Sequence, residues 1–218
     1  MNTEFWLENW KRNKIGFHQQ EINSHLVSFW QQLNIVPDCS VFVPLCGKSL
    51  DLLWLHQQGH SVLGIEISEL AIHDFFIENA LNYNRLEQDD FHLWESERLL
   101  IWQGDFFNLT ANQTRDVAGV FDRASLVALP IELRQKYAHH IKSILPDNAK
   151  ILLVTFEYDQ SKMDGPPFSV SETEVNQLYR DHYEITLLFK QDVLEKFPQF
   201  RNLGLSSLQE KVYLLRPY

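Results

Sequence analysis

The chain has 218 residues, of which 44% are hydrophobic, and its formal net charge is -10 at pH 7. This length and apolar content suit one α/β domain with a substantial core, and they exclude a disordered chain. The acidic balance, without a lysine or arginine cluster, excludes long-range attraction to a phosphate backbone. We therefore expect a small-molecule substrate and no nucleic-acid partner.

Signals for export or membrane insertion are missing from the sequence. The first residues, MNTEFWLENWKRNK, lack the apolar stretch of a signal peptide, and no later run has the length of a membrane span. The two cysteines, Cys39 and Cys46, are typical in number of a protein from a reducing compartment. We expect a cytoplasmic protein that acts as a monomer and has no membrane partner.

The sequence pattern predicts one domain over residues 1–218. Within it, residues 1–35 mix aromatic side chains with charges, which predicts two short amphipathic helices that form an N-terminal helical cap. Residues 158–175 are rich in turn formers and predict an insertion on the substrate side. The segment 82–98 is predicted to be a polar segment that contains none of the predicted strands or helices.

Strands alternate with helices along the rest of the chain. The predicted strands are 40–44, 61–65, 99–102, 117–121, 149–156, 183–190 and 211–215. The predicted helices are 49–58, a helix capped by Ser68 that ends near Leu81, 131–145 and 174–180. This alternation predicts an α/β fold with a doubly wound, mostly parallel, seven-stranded sheet. Because no helix separates the last two strands, we expect an antiparallel edge strand.

The segment 41–66, VFVPLCGKSLDLLWLHQQGHSVLGIE, has the clearest functional pattern. It predicts a buried strand, a tight loop, a helix and a second strand that ends at Glu66. In a βαβ unit of this kind, the first loop approaches a nucleotide-like ligand, and an acidic residue about 20 positions later binds ribose hydroxyls. Glu66 is therefore predicted to bind a ribose.

The loop of this unit indicates which ligand binds. PLCGKS contains one glycine, whereas the pyrophosphate of NAD or FAD requires a glycine-rich approach to the helix N-terminus. A nucleoside without phosphates fits better, so we predict S-adenosylmethionine as the cofactor and disfavour an NAD-dependent oxidoreductase.

Cys46 in this loop is predicted to be a small buried thiol, because no histidine or aspartate is locally placed to activate it as a nucleophile. The set Cys39, Cys46, His56 and His60 lacks the spacing of a zinc site, so we predict no metal.

Five motifs in order, FVPLCGKSLDLLWL, GHSVLGIEIS, FDRASLVAL, DGPPF and EKVYLL, together resemble the thiopurine S-methyltransferase family. The resemblance covers nearly the whole chain. It implies the Rossmann-like fold of class I S-adenosylmethionine-dependent methyltransferases and the S-methylation of small aromatic or heterocyclic thiols. Methylation of selenium or tellurium species and non-catalytic binding of S-adenosylmethionine are the alternatives.

The resemblance also implies roles for individual residues near the cofactor. Trp10 and Trp6, in the N-terminal segment, are expected to line the S-adenosylmethionine site. Leu45 is expected to contact the methionine end of the cofactor, and Glu66 its ribose. Phe17, in the GFH match, is expected to lie near the methyl acceptor.

Further residues are assigned by the same resemblance. Asp105 and Phe106 match positions near the adenine, at the edge of the sheet where α/β proteins bind ligands. Arg123, in the DRASL match, is expected beside the point of methyl transfer. It either pairs with the cofactor's carboxylate or stabilises an anionic thiolate. Arg201 is an approximate match to a second arginine of the family.

Overall fold

The computed structural model describes residues 3–88 and 90–218. Within these residues, nine strands join one sheet. They are β1 (Ser40–Val43), β2 (Ser61–Glu66), β3 (Asn84–Gln88), β4 (Phe91–Ser96), β5 (Leu99–Gln103), β6 (Val117–Arg123), β7 (Lys150–Glu157), β8 (Tyr183–Asp192) and β9 (Gln209–Pro217).

The strand order across the sheet is β3-β4-β5-β2-β1-β6-β7-β9-β8. Parallel pairing joins β5, β2, β1, β6 and β7, so the loops that follow these strands open at one edge. The chain order reverses on the two sides of β1, with β2 on one side and β6 on the other. Such a switch point is where open α/β sheets bind ligands.

Helices cover both faces of the sheet. They are α1 (Thr3–Lys11), α2 (Ser24–Phe29), α3 (Asp51–Gln57), α4 (Glu69–Glu78), α5 (Ala111–Thr114), α6 (Ile131–Ile144), α7 (Glu172–Tyr179) and α8 (Pro198–Asn202). The central strands are buried on both sides, as their continuous apolar runs require. One core cluster contains residues of α6 and α7, a second contains residues of α2, α3 and α4, and a smaller third includes Tyr158 and Leu208.

Helix α4 begins where the sequence predicts. The Ser68 side chain accepts a hydrogen bond from the Ala71 N–H at 3.2 Å, which confirms Ser68 as the N-cap. The helix ends at Glu78, three residues before the predicted end. Among the described residues, none of the helices combines the length and apolarity that a membrane crossing requires.

The fold class is the predicted one, but the sheet has more strands than the prediction gave. Segment 82–98 contains the antiparallel strands β3 and β4, which extend the sheet beyond the seven predicted strands. The reason is that Phe91, Leu93 and Trp94 of β4 are buried although their neighbours are polar.

The two late strands form the antiparallel edge that the sequence predicts, with β8 outermost and β9 next to it. Strand β9 pairs with β7 on one side and with β8 on the other. Its run from Lys211 to Leu215 is buried, as an inner strand requires, whereas β8 is largely exposed or half-buried and forms the edge.

Candidate active site

A cavity of about 370 Å³ opens at the carboxyl edge of the central strands. Its walls come from the loops after β1, β2 and β6, from the ends of β7 and β9, and from three segments that close over them. These segments are the N-terminal region around α1, the insertion at Pro166 and Pro167, and residues 197–200. A mostly apolar cavity with a few charged groups is typical of a small-molecule site.

The loop after β1 forms one wall of the cavity. Leu45 and Gly47 both have positive φ angles, of 45° and 53°, which non-glycine residues such as Leu45 rarely adopt. A Cβ atom on Gly47 would lie 3.0 Å from Cζ2 of Trp10. Glycine is therefore required both by the backbone conformation and by the indole that packs on it.

The carboxylate of Glu66 lies beside this loop at the end of β2. The Gly47 N–H donates to Oε2 at 2.9 Å, and the Ser68 N–H donates to Oε1 at 2.8 Å. Each oxygen retains a lone pair for a further donor. Burial raises the pKa of Glu66, while the backbone donors act against that rise. The two carboxylate oxygens of Glu66, fixed by these backbone donors at the cavity wall, are suited to bind a pair of ligand hydroxyls.

The N-terminal segment brings a cluster of aromatic rings to the same cavity. The ring of Phe17 packs edge-on against Trp6 and Trp10, with centroid distances of 5.4 and 5.5 Å. Trp10 is only 6% exposed. All three rings line the cavity, and their contacts with the cofactor and the acceptor remain predictions.

Arg123 enters the cavity from the end of β6. Within the described part of the chain, its guanidinium forms neither a hydrogen bond nor an ion pair, although it has five N–H donors. Burial lowers the pKa of Arg123, and the carboxylates of Asp51 and Glu210 act against this change. The guanidinium is therefore a charged donor that faces the cavity.

The turn that carries Arg123 is held by hydrogen bonds on its other side. Ala124 has a φ angle of 63°, and the Ser125 hydroxyl donates to the carbonyl of Pro44 at 2.7 Å. Asp122, fully buried, accepts from the Leu126 N–H and from the Tyr137 hydroxyl. Burial raises the pKa of Asp122 to about 6. These contacts fix the direction in which strand β6 presents Arg123.

Two acidic residues of the cavity, Asp51 and Glu210, were not predicted from the sequence. Asp51 accepts the Asn23 N–H at Oδ1 and the Ser49 hydroxyl at Oδ2, both at 2.8 Å. Glu210 Oε2 lies 2.8 Å from Nε2 of His25. An acidic residue in an otherwise buried strand, as in QEKVYLL, is the sequence signal that could have indicated Glu210.

Three predicted residues lie outside the cavity lining. Asp105 is exposed, and its side chain accepts the Phe107 N–H. Phe106 is buried and stacks on Tyr137 at 4.8 Å. Arg201 is exposed on α8, 4.0 Å from Glu195. Their assigned roles remain predictions.

Cys46 is buried under the loop. Burial raises the pKa of its thiol well above the ordinary value, and the neighbouring Glu66 raises it further, so the thiol is neutral and unsuited to nucleophilic attack. Among the residues that the structure describes, no cluster of three or more histidine, cysteine, aspartate or glutamate side chains could hold a metal ion.

Comparison with solved structures identifies the class of fold. The structure is similar to 1,6-didemethyltoxoflavin-N1-methyltransferase from Burkholderia thailandensis, solved with S-adenosylhomocysteine, with a TM-score of 0.65 at 16% identity over 98% of this chain and 86% of that one. It is also similar to an S-adenosylmethionine-dependent methyltransferase from Anabaena variabilis, with a TM-score of 0.67 at 12% identity over 100% of this chain and 96% of that one. At these identities the similarity establishes the fold alone, which is that of class I methyltransferases.

Sequence comparison identifies the family. The family model described as Thiopurine S-methyltransferase (TPMT) matches residues 1–217. The chain is 47% identical to a thiopurine S-methyltransferase from Nitrosospira multiformis, over 99% of this chain and 98% of the relative. It is 45% identical to one from Pseudomonas putida KT2440, over 98% of each chain. The chain therefore belongs to the thiopurine S-methyltransferase family, which confirms the resemblance identified from its motifs.

Proposed function

We propose that the protein catalyses the S-adenosylmethionine-dependent S-methylation of small aromatic or heterocyclic thiols. One observation carries the proposal. A buried carboxylate, Glu66, and a guanidinium without a partner among the described residues, Arg123, line the same mostly apolar cavity at the switch point of the sheet. The first suits the ribose of the cofactor, and the second suits an anionic acceptor.

The residues present fit S-adenosylmethionine. Glu66 offers two carboxylate oxygens to vicinal ribose hydroxyls, and Gly47 lines the cavity with backbone alone. Trp10 covers this loop and excludes water. When bound, the cofactor supplies an electrophilic methyl group on a cationic sulfur.

The residues beyond Arg123 suit an aromatic acceptor. Phe156 packs edge-on against Phe197 at 5.7 Å, and Phe197 stacks on Phe200 at 5.5 Å. All three line the cavity. Flat apolar rings are favourable partners for an aromatic thiol, because aromatic pairs gain energy beyond the area they bury.

Arg123 favours the reactive form of such an acceptor. A positive charge close to the acceptor sulfur stabilises the thiolate relative to the thiol and so lowers the pKa of the bound acceptor. A dry cavity removes water from that thiolate. Positioning then supplies much of the acceleration, and no covalent enzyme intermediate is required.

We also propose that the enzyme is a cytoplasmic monomer without a nucleic-acid partner. The acidic net charge of -10 and the mostly apolar cavity support a small-molecule substrate rather than a phosphate backbone.

The test is a binding measurement followed by a turnover measurement. The purified protein is titrated calorimetrically with S-adenosylhomocysteine, and with NAD as the control ligand. Saturable binding of the former alone, followed by methylation of thiophenol with S-adenosylmethionine, is the expected result. Binding without turnover of any thiol supports a binding protein instead, and binding of NAD alone refutes the cofactor assignment.

A further inference from the structure

Glu210 differs from the other carboxylates of the cavity in one respect. Both oxygens of Glu66 and both oxygens of Asp51 accept hydrogen bonds from the protein. For Glu210, Oε2 lies 2.8 Å from His25 Nε2, whereas Oε1 makes no hydrogen bond to any described residue. Its side chain is only 12% exposed. An oxygen of a nearly buried carboxylate is thus left available within the cavity.

The sheet places this oxygen at the acceptor end. Strands β2, β1, β6, β7 and β9 are successive neighbours, so Glu66 and Glu210 lie four strand spacings apart, or about 19 Å across the sheet. Glu210 is directly opposite Phe156 in the β7–β9 ladder. It therefore borders the aromatic wall of Phe156, Phe197 and Phe200 and lies far from the ribose-binding position.

Glu210 also lies on the same face of the sheet as Arg123. Arg123 is paired with Val154 of β7, and Val154 is paired with Val212 of β9. Phe156 and Glu210 follow on these two strands at a spacing of two residues, which keeps side chains on one face. The charge of Glu210 acts on the pKa of Arg123, so the two charged groups are close enough to interact.

A donor and an acceptor that face one cavity from β6 and β9, two strand spacings apart, match one class of methyl acceptor. Heterocyclic thioamides carry a C=S group next to a ring N–H, so the sulfur accepts a hydrogen bond while the nitrogen donates one. Arg123 supplies donors for the sulfur, and Glu210 Oε1 supplies an acceptor for the N–H. Simple aromatic thiols have no such N–H and use only Arg123.

We propose that Glu210 is a specificity-determining and catalytic residue that binds the ring N–H of heterocyclic thioamide acceptors and takes its proton as the neighbouring sulfur is methylated. This inference rests on the proposed S-methyltransferase function. In the step, the acceptor sulfur would form the new S–CH₃ bond with a lone pair as the sulfonium–methyl bond of the cofactor breaks. The electron pair of the broken bond would stay on the cofactor sulfur, which leaves as neutral S-adenosylhomocysteine, and the C=S bond of the acceptor becomes a C–S single bond. The ring nitrogen keeps the electron pair of its N–H bond, the proton moves to Glu210 Oε1, and it is released to water after the product leaves.

Proton loss from the ring is needed because methylation of the neutral thioamide would otherwise leave a cationic ring. A carboxylate within hydrogen-bond reach is a competent acceptor for that proton. The imidazole of His25 holds the other carboxylate oxygen and so directs Oε1 toward the cavity. His25 is itself packed against Phe189, with a centroid distance of 4.6 Å.

The first test is a binding measurement that does not depend on turnover. Pyridine-2-thione, which has the N–H, and its N-methyl derivative, which lacks it, are titrated into the protein saturated with S-adenosylhomocysteine. The variant is Glu210→Gln, whose amide keeps one oxygen for His25 and turns an N–H toward the ligand. We expect its Kd for pyridine-2-thione to rise roughly tenfold or more, as for the loss of one charged hydrogen bond. The Kd of the N-methyl derivative is expected to change less than twofold.

The matched control is Glu195→Gln, at an exposed glutamate that does not line the cavity. It should leave both Kd values unchanged. Equal weakening of both ligands by Glu210→Gln would assign Glu210 a structural role and overturn the proposal, as would no change for either. Binding of the N-methyl derivative also reports whether the variant is folded.

Turnover separates this inference from the proposed function. With S-adenosylmethionine, Glu210→Gln should lower kcat/KM for pyridine-2-thione at least tenfold and leave that for thiophenol within twofold. If the wild-type protein methylates thiophenol but the variant shows no selective loss, the role of Glu210 is refuted while the proposed function stands. If the wild-type protein methylates no thiol, the proposed function itself fails.

Discussion

The contact between Gly47 and Trp10 predicts the effect of one added methyl group. Gly47→Ala places a Cβ 3.0 Å from Trp10 Cζ2 and 3.4 Å from Cη2, in a residue whose φ angle is 53°. A left-handed conformation costs a non-glycine residue about 1–2 kcal/mol. For a chain of this size, that cost lowers Tm by about 2–8 °C. The indole must also shift by a few tenths of an ångström, which disturbs the wall of the cavity.

The assay measures stability and cofactor affinity separately. Thermal unfolding gives the first, and calorimetric titration with S-adenosylhomocysteine gives the second. Gly59→Ala is the matched control, because Gly59 has a φ angle of 90° but its Cβ would meet only Pro37, at 3.8 Å. Both variants should lose stability, whereas only Gly47→Ala should weaken binding, by roughly tenfold, the effect of about 1.4 kcal/mol.

A double-mutant cycle identifies the cause of the lost affinity. Trp10→Phe removes the atoms that the new methyl group meets, so Gly47→Ala should cost less affinity in that background than in the wild-type protein. A coupling energy of at least about 0.5 kcal/mol is expected for residues in contact. If the Gly47→Ala variant binds S-adenosylhomocysteine as tightly as the wild-type protein, the cofactor does not depend on this wall and our placement of its site is wrong.

Three further predictions follow from the charged groups. Glu66→Gln should weaken S-adenosylhomocysteine binding at least about tenfold while the protein stays folded, because one amide cannot accept from two backbone donors and two hydroxyls. An unchanged calorimetric Kd would show that Glu66 does not bind the cofactor. Arg123→Ala should reduce kcat for thiophenol more than it weakens cofactor binding, whereas Arg115→Ala, at an exposed arginine outside the cavity lining, should change neither. Equal losses in kcat and affinity for Arg123→Ala would favour its pairing with the cofactor. Burial raises the pKa of Asp122 from 3.8 to about 6, so the folded protein favours the protonated carboxyl. The stability that this group contributes is present in full below about pH 4 and is lost as the pH rises through about 6. The free energy of unfolding then falls by about 3 kcal/mol. The difference in unfolding free energy between the wild-type protein and Asp122→Asn should therefore shift in favour of the variant between those pH values, and a constant difference in urea titrations contradicts the assignment.

Local patterns in the sequence predicted those elements whose structure depends on residues close together in the chain. The βαβ unit of residues 41–66 was recognisable because its strands are continuous apolar runs and its loop contains the required glycine. The Ser68 cap was recognisable for the same reason, since the cap is a bond between residues three apart. Strand β3 was missed because all five of its residues are exposed, and its strand form depends on pairing with β4 rather than on burial.

The residues of the candidate site also differ in whether a local sequence pattern predicts them. Glu66 follows from spacing along one βαβ unit, so the sequence alone predicts it. Glu210 belongs to β9, and its place beside Phe156 depends on β9 inserting next to β7, which no local pattern specifies. The position of Asp51 depends similarly on the Asn23 N–H, which lies 28 residues away in the chain.

Backbone groups form much of the cavity wall at one end, whereas side chains form it at the other. This difference affects how the protein discriminates among ligands. At the Glu66 end, backbone donors and a glycine constrain the site, so few substitutions leave it intact. At the Glu210 end, the walls are side chains of Phe156, Phe197 and Phe200, which can change without altering the backbone. Selection for a new acceptor can therefore act on the aromatic end while cofactor binding is retained. Glu210 is the carboxylate at that end, and its replacement should alter acceptor choice directly.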